Sequence, residues 1–308
     1  MTLNKISSSL LLICLCATVR GAFSAHSVGP VLPQISGASD QRGEAAVTVK
    51  QDVLYSSTSG IDLHLDVYAG AQSTGARPAV VLIHGGGWTS LDRSTMRTMG
   101  EFLARFGFVA FSVDYRLFKD GQNRWPAQLD DVQRAVRWVR AHAREYGVDP
   151  ARVGAFGHSA GAQLAALLGM ENTRDNSDAA LAQYSSRVQA VVDVSGPTDF
   201  TQDAAGGADF LSGFFGGSYA EHPEVWKEAS PVDHVGPGDA PFLIVHGTQD
   251  EDVPIAQAEE LFEKLHAAGV QASFVKVDDA HTFHTPEARR ELAIETLSFF
   301  NRYLTEAH

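Results

Sequence analysis

A serine flanked by small residues lies at the centre of the segment Gly157-His158-Ser159-Ala160-Gly161. The apolar run 152–156 precedes this segment and a helical pattern begins directly after it, so the serine lies in a strand–turn–helix. So sharp a turn needs small residues on both sides, and it exposes the hydroxyl at the carboxyl edge of a sheet. The setting predicts Ser159 as the nucleophile of an acyl-transfer reaction. The alternative is a glycine-rich turn with a solvated serine.

Three consecutive glycines follow the apolar run 79–83 in the segment His84-Gly85-Gly86-Gly87-Trp88. Glycine has no Cβ, so its backbone N–H can approach a ligand closely. An acyl-transfer intermediate needs fixed N–H donors about 3 Å from its oxyanion. We predict that Gly86 and Gly87, together with Ala160, supply these donors, and Gly85 is the weaker candidate. A phosphate-binding loop is the alternative, but no Lys-Ser/Thr pair follows the glycines.

A serine hydroxyl needs a general base, and the base needs a carboxylate to orient it. Such a carboxylate and base follow the serine in chain order, each at the end of a strand. Asp250 comes just after the buried run 242–245, and His281 is the first histidine after the run 272–277. We predict Asp250 as the orienting carboxylate and His281 as the base. Asp252, two residues after Asp250, is the alternative carboxylate, and His284, three residues after His281, is the alternative base.

Several neighbouring residues are expected to have structural roles. His246 should pack at a strand end, His158 fill the variable position of the serine turn, and His84 brace the glycine loop. Trp88 is assigned to the substrate pocket as a wall for the acyl group, with simple packing as the alternative. No HExxH motif and no tight His/Asp cluster occurs, so neither a metal nor another cofactor is expected.

The elements that must position these residues follow an alternating pattern. Short, continuously apolar runs are typical of parallel strands that are buried on both faces, and here they occur at 79–83, 108–113, 152–156, 188–194, 242–245 and 272–277. Helical patterns lie between them at 93–106, 127–145, 160–169, 256–268 and 286–303. Two further strands, 47–54 and the alternating 61–67, form an antiparallel lead-in. We therefore predict an α/β fold with a doubly wound, mostly parallel eight-stranded sheet.

The chain is expected to form one domain over residues 46–308. The segment at about 199–230 interrupts the alternation, and it is too long and too aromatic for a simple connection. We interpret it as a small lid inserted beside the site.

The 308 residues carry a net charge of −13, which disfavours partners such as nucleic acid or an anionic membrane. Lys5, the apolar run 10–17 and the small residues that follow predict a cleavable signal peptide over 1–25. A Gly-, Ser- and Pro-rich tether is predicted over 26–45. We therefore expect a secreted or periplasmic protein. Both cysteines lie in the signal, so cysteine nucleophiles and cysteine–metal sites are excluded from the mature chain.

Taken together, these motifs resemble the α/β-hydrolase superfamily. The sequence is most similar to the bacterial esterase/lipase group around acetyl-xylan and feruloyl esterases and to the hormone-sensitive-lipase-like carboxylesterases. The resemblance covers roughly residues 50–304 and is carried by HGGGW at 84–88, VDYRL at 113–117, GVDPARVGAFGHSAG at 147–161, HGTQDEDVP at 246–254 and DAHTF at 279–283. It implies the α/β-hydrolase fold, a triad of Ser159, His281 and Asp250, and an oxyanion hole formed by the glycine loop and Ala160.

Two departures from the family pattern are informative. Relatives often read GHSAGGHL at the serine turn, whereas Ala162-Gln163 follow Gly161 here. The large N-terminal cap helices of the lipase-like members are not expected, which favours an open site for small acyl groups.

The resemblance implies a serine carboxylesterase for short-chain acyl esters of small molecules or carbohydrates, with deacetylation or deferuloylation of plant polysaccharide as candidate reactions. A stable membrane anchor is not expected, and the oligomeric state is left open. The alternatives are a lipase, an arylformamidase-like amidase and a prolyl-peptidase relative, although the chain is too short for that peptidase's gating domain. A non-catalytic ligand-binding protein on the same scaffold is the alternative of a different class.

Overall fold

The computed structural model describes residues 46–71, 75–202 and 209–305. The predicted signal peptide (1–25) and tether (26–45) lie outside the described residues. Within those described, eight strands form one sheet: β1 (Thr48–Thr58), β2 (Ile61–Ala69), β3 (Arg77–Ile83), β4 (Val109–Val113), β5 (Val148–His158), β6 (Ala190–Val194), β7 (Phe242–Gly247) and β8 (Ala272–Val277). Their order across the sheet is β1-β2-β4-β3-β5-β6-β7-β8. This is the α/β-hydrolase sheet that the sequence predicted.

Only the lead-in strands are antiparallel. β1 pairs antiparallel with β2 and β2 with β4, and every other neighbouring pair is parallel. All residues of β4, β6 and β7 are buried, because helices cover both faces of the sheet there. The carboxyl ends of the parallel strands lie at one edge of the sheet, so the segments that follow β3, β5, β7 and β8 converge there.

The helices are α1 (Arg97–Arg105), α2 (Ala127–Ala141), α3 (Ala143–Tyr146), α4 (Ala160–Met170), α5 (Asp209–Phe215), α6 (Pro223–Ala229), α7 (Ile255–Ala267) and α8 (Pro286–Phe300). α2, α4 and α7 contribute to the core on one face of the sheet, and α1 and α8 to the core on the other. All eleven residues of α4 are buried, so this helix runs through the centre of its layer.

Two predicted helices are divided in the structure. The helix predicted over 93–106 begins as a 3-10 turn over Arg93–Met96, in which the Asp92 carboxylate caps the Ser94 N–H. The helix predicted over 127–145 breaks at His142, between α2 and α3. Strand β5 extends back to Val148, beyond the predicted run 152–156, because Val148 pairs with Arg77.

The insertion at 199–230 contains α5 and α6, and its residues 203–208 are not described. Four of its aromatic side chains are buried: Phe200, Phe214, Phe215 and Trp226 are each at most 4% exposed. In the three described ranges, no helix is long and apolar enough to cross a bilayer.

Candidate active site

Ser159 lies in the sharp turn between β5 and α4. Its φ of 55° and ψ of −124° lie outside the regions that side chains favour, so the turn is strained. Its N–H donates to the Val194 carbonyl at 2.8 Å, which ties the turn to β6. A Cβ at Gly157 would overlap the Gly161 carbonyl, and one at Gly161 would overlap the Ile83 carbonyl. The small flanking residues are therefore a steric requirement of the turn.

Three side chains from separate strand ends form a hydrogen-bonded chain at this turn. His281 Nε2 lies 2.8 Å from Ser159 Oγ, and His281 Nδ1 lies 2.8 Å from Asp250 Oδ2. An ionised carboxylate only accepts, so Nδ1 carries the proton and Nε2 is free to accept the serine proton. The structure thus brings together the three residues that the sequence selected, in the order needed for nucleophilic catalysis.

The two alternatives do not join this chain. The side chain of Asp252 is exposed, and only its backbone N–H reaches Asp250 Oδ1, at 3.0 Å. The imidazole of His284 is 67% exposed and contacts Thr282 and Asp279.

The Asp250 carboxylate is fully buried and held from both sides. Its Oδ1 also accepts the Val253 N–H at 2.8 Å, and His246 Nε2 lies 3.2 Å from Oδ2. Burial alone would raise the pKa of Asp250, but the interactions with His246 and His281 hold it well below its usual range. Asp250 is therefore ionised at neutral pH and available to orient His281.

His246 is buried at the end of β7, as the sequence predicted, and it also has a role that the sequence did not predict. Its Nε2 also lies 2.9 Å from the Val253 carbonyl, so this nitrogen faces two acceptors and carries a proton. Burial is the largest single effect and lowers the pKa of His246. The hydrogen bonds to Asp250 and to the Val253 carbonyl, together with the nearby carboxylate charges, outweigh burial and raise the pKa. The contact between His246 and Asp250 could have been predicted from their four-residue spacing at the end of β7.

The loop that carries His281 is organised by Asp279, which sequence reasoning missed. Asp279 Oδ2 accepts the N–H groups of His284 and Thr285 and the Thr285 hydroxyl, at 2.8 to 3.0 Å. Burial opposes ionisation, but these bonds lower the pKa of Asp279 to about 2. The histidine loop is thereby fixed to the start of α8.

His158 connects the same loop to the serine turn. Its Nε2 lies 3.1 Å from the His281 carbonyl, so this nitrogen donates. Burial lowers the pKa of His158 to about 4, which keeps the ring neutral at physiological pH. His158 therefore does more than fill a variable position.

The glycine loop lies directly against the serine turn. A Cβ at Gly85 would come within 3.2 Å of the Ser159 Cβ. Gly86 and Gly87 have φ values of 97° and 57°, which glycine adopts without strain. In the part of the chain that the structure describes, the N–H groups of Gly86, Gly87 and Ala160 have no hydrogen-bond acceptor. These unpaired donors are suited to stabilise an oxyanion formed at Ser159.

His84 braces this loop, as the sequence predicted. Its Nδ1 lies 2.8 Å from the Gly85 carbonyl, and its ring stacks on Tyr115 with centroids 4.2 Å apart. The Tyr115 hydroxyl donates to the carbonyls of both His84 and Gly85 at 3.1 Å.

The assignment of Trp88 to the substrate pocket requires correction. Its side chain is only 5% exposed and packs against Phe200 and Phe214 of the insertion. The indole N–H is occupied by a hydrogen bond to Gln163. Trp88 therefore has the packing role that was its alternative, because the insertion covers it.

Across the described residues, no group of three or more His, Cys, Asp or Glu side chains is arranged to hold a metal ion. The chemistry that the arrangement can perform without one is nucleophilic acyl transfer.

The chain is similar in sequence and in fold to known carboxylic ester hydrolases. The chain is 30% identical over 216 residues to "Probable carboxylic ester hydrolase LipM" of Mycobacterium tuberculosis (strain ATCC 25618 / H37Rv), an alignment covering 68% of this chain and 50% of LipM. The chain thus spans about half the length of that relative.

Two solved structures are similar over most of the chain. A truncated carbohydrate esterase from gut microbiota has a TM-score of 0.74 and 28% identity, covering 86% of this chain and 99% of that one. The butyrate-bound esterase Est2 of Thermogutta terrifontis has a TM-score of 0.72 and 26% identity, covering 86% and 97%.

A family model described as BD-FAE matches residues 65–265, a span that includes Ser159, Asp250 and the glycine loop. Because the match covers well over half of the chain, the chain belongs to the BD-FAE family, within the α/β-hydrolase esterase group that its motifs resemble.

Proposed function

We propose that this protein hydrolyses short-chain carboxylic esters through a covalent intermediate on Ser159. The observation that carries the proposal is the hydrogen-bonded chain from Asp250 through His281 to Ser159, beside unpaired backbone donors. The names of the relatives support it, because LipM is called a probable carboxylic ester hydrolase and both structural neighbours are esterases.

In the first half of the reaction, Ser159 Oγ attacks the ester carbonyl while its proton passes to His281 Nε2. Asp250 stabilises the imidazolium through Nδ1–H, and the N–H groups of Gly86, Gly87 and Ala160 stabilise the oxyanion. The C–O bond to the alcohol then breaks, and the alcohol leaves with the proton from His281. Each oxyanion donor contributes a factor of about 10² to 10³ in rate.

In the second half, water attacks the acyl-enzyme carbonyl and gives its proton to His281. Collapse of the second tetrahedral intermediate breaks the bond to Ser159, which regains its proton from His281. The carboxylic acid leaves and the enzyme returns to its starting state.

For the substrate class, we propose short acyl groups on neutral or carbohydrate alcohols. One neighbour is titled a carbohydrate esterase, and Est2 was solved with butyrate and with propionate bound. The net charge of −13 also favours neutral over anionic substrates. Acetyl and feruloyl esters of plant polysaccharide are the specific candidates.

The test is hydrolysis of p-nitrophenyl acetate, butyrate, octanoate and laurate by the wild type and by Ser159→Ala. We expect kcat/KM to fall with chain length and turnover to be lost in the variant. Turnover that rises with chain length would indicate a lipase. Turnover of N-formyl arylamines in place of esters would indicate the amidase.

We also propose that residues 1–25 direct export, on the strength of the apolar run 10–17 and the small residues that follow. The N-terminal sequence of the protein recovered from the periplasm or medium tests this. A mature chain that begins between residues 22 and 26 is expected, and retention of Met1 in the cytoplasm would contradict it.

A further inference from the structure

A buried amide joins the glycine loop to the insertion at 199–230. Gln163, in the first turn of α4, is fully buried. Its Oε1 accepts the Trp88 indole N–H at 3.1 Å, and its Nε2 donates to the Ala229 carbonyl at 2.8 Å. Trp88 follows Gly87 in the loop, and Ala229 is the last residue of α6. The Gln163 side chain thus links the glycine loop to the end of α6. Gln163 lies four positions after Ser159 in the sequence.

Trp88 itself is held from three further directions. Its carbonyl accepts the Phe118 N–H at 2.8 Å. Its ring stacks on Phe214 with centroids 5.1 Å apart, and it packs edge-to-face with Phe200, with centroids 5.7 Å apart. Its φ of 59° is one that a bulky side chain rarely adopts, so these contacts are needed to maintain it.

The described residues of the insertion, 199–202 and 209–230, are firmly docked on the rest of the domain. Phe214 has no exposed surface, and the backbone N–H of Trp125 donates to the Phe214 carbonyl at 3.1 Å. The Phe200 N–H donates to Ser230 Oγ at 3.0 Å within the same buried region. Lifting the insertion would expose apolar surface and break these buried hydrogen bonds together, which disfavours a freely moving lid.

We propose that Trp88 and Gln163 are positioning residues that transmit the packing of the insertion to the oxyanion donors. Gly87 and Trp88 share a peptide bond, so a rotation or shift of Trp88 moves the neighbouring Gly87 backbone and its N–H. Donors of this kind act only when aimed at the place where charge develops, and a 1 Å displacement costs about 10²-fold in rate. The inference rests on the proposed function, because it assigns the purpose of the contacts to oxyanion stabilisation.

The variant Trp88→Phe keeps an aromatic ring but removes the indole N–H together with part of the ring surface, leaving Gln163 Oε1 without its donor. Gln163→Met keeps the side-chain length and removes both hydrogen bonds. The matched control is Trp125→Phe. Trp125 packs on the same Phe214, with ring centroids 6.4 Å apart, but its buried indole N–H has no hydrogen-bond partner among the described residues. Gln163→His is the conservative variant, since an imidazole can accept from Trp88 and donate to Ala229.

The measurements are kcat and KM for p-nitrophenyl acetate, the Ki of a trifluoromethyl ketone, and Tm. The ketone adds to the serine and places an oxyanion among the donors, so its Ki reports their aim. For Trp88→Phe and Gln163→Met we expect kcat to fall about 10- to 100-fold, Ki to weaken by a similar factor and KM to change little. Trp125→Phe should stay within about twofold of the wild type, and Gln163→His should recover most of the kcat.

The inference is refuted if Trp88→Phe lowers Tm while kcat and Ki remain at wild-type values, because the contacts would then serve stability alone. It is also refuted if Trp125→Phe loses as much kcat as Trp88→Phe. A wild type that hydrolyses no ester and does not react with a fluorophosphonate would refute the proposed function as well, so the two failures are distinguishable.

Discussion

Asp250→Asn tests the orienting carboxylate with the smallest change of shape. Its Oδ1 accepts two backbone N–H groups, from Asp252 and Val253. Its Oδ2 accepts His281 Nδ1–H and lies 3.2 Å from His246 Nε2. All of these groups are donors. In Asp250→Asn, either orientation of the new side-chain amide therefore points its NH₂ at groups that can only donate or that now donate.

The two orientations differ in energy because a backbone N–H is always a donor, whereas a histidine nitrogen can change from donor to acceptor. We expect the amide oxygen to face Asp252 and Val253, and the NH₂ to face His281. That NH₂ donates to His281 Nδ1 and thereby moves the ring proton to Nε2. His281 can then no longer accept the proton of Ser159.

The expected loss of kcat is about 10³- to 10⁴-fold, the size that the same change produces in serine hydrolases whose histidine is held in the wrong tautomer. In free energy this is about 4 to 5.5 kcal/mol of transition-state stabilisation, at about 1.4 kcal/mol per tenfold. The assay is the steady-state hydrolysis of p-nitrophenyl acetate. KM should change little, because the carboxylate does not touch the substrate.

The matched control is Asp252→Asn, which makes the same chemical change two residues away on an exposed side chain. It should retain most of the activity. Full activity in Asp250→Asn, or a large loss in Asp252→Asn alone, would refute the assignment of the carboxylate and return it to Asp252.

The remaining predictions concern the base, the glycine loop and pH. His281→Ala should abolish turnover of p-nitrophenyl acetate, while His284→Ala should keep most of it; the reverse result would move the base three residues downstream. Gly86→Ala should lower both Tm and kcat, because its Cβ would overlap the Ser90 carbonyl. Gly87→Ala would place its Cβ in open space, so it should lower the free energy of unfolding by only about 1 kcal/mol, for the positive φ. Equal losses of Tm in the two variants would contradict this. The pKa of His158 is about 4 in the fold and about 6.5 in the unfolded chain, so the free energy of unfolding should fall as pH drops from 6.5 to 4. Urea titrations at several pH values measure this fall. If the free energy of unfolding of His158→Gln depends on pH as steeply as that of the wild type, another group is responsible.

The topology could be predicted from the sequence because it depends on local patterns. Continuously apolar runs identified the buried parallel strands, and the alternation at 61–67 identified the lead-in strand β2. The alternation predicted a half-buried strand, but residues 65–68 of β2 are buried on both faces. The breaks within the predicted helices were not predicted. The break at Arg93–Met96 depends on a cap from Asp92, and a hydrophobic pattern does not record such a cap.

The triad residues were predictable because each follows a recognisable strand. The residues that hold the triad were not, since their partners are distant in sequence. The hydrogen bond of His158 to the His281 carbonyl spans 123 positions, and the bond of Trp88 to Gln163 spans 75. The interpretation of Trp88 failed for the same reason: its burial comes from aromatic side chains of the insertion, more than a hundred residues later in the chain.

The central claim is that Ser159 forms a covalent acyl-enzyme, and its most direct test is mass spectrometry after rapid acid quenching with p-nitrophenyl acetate. We expect one added acetyl group, located on the peptide that contains Ser159, and a burst of p-nitrophenol of matching size. Ser159→Ala should show neither. Acetylation at another residue, or undiminished turnover in Ser159→Ala, would contradict the account.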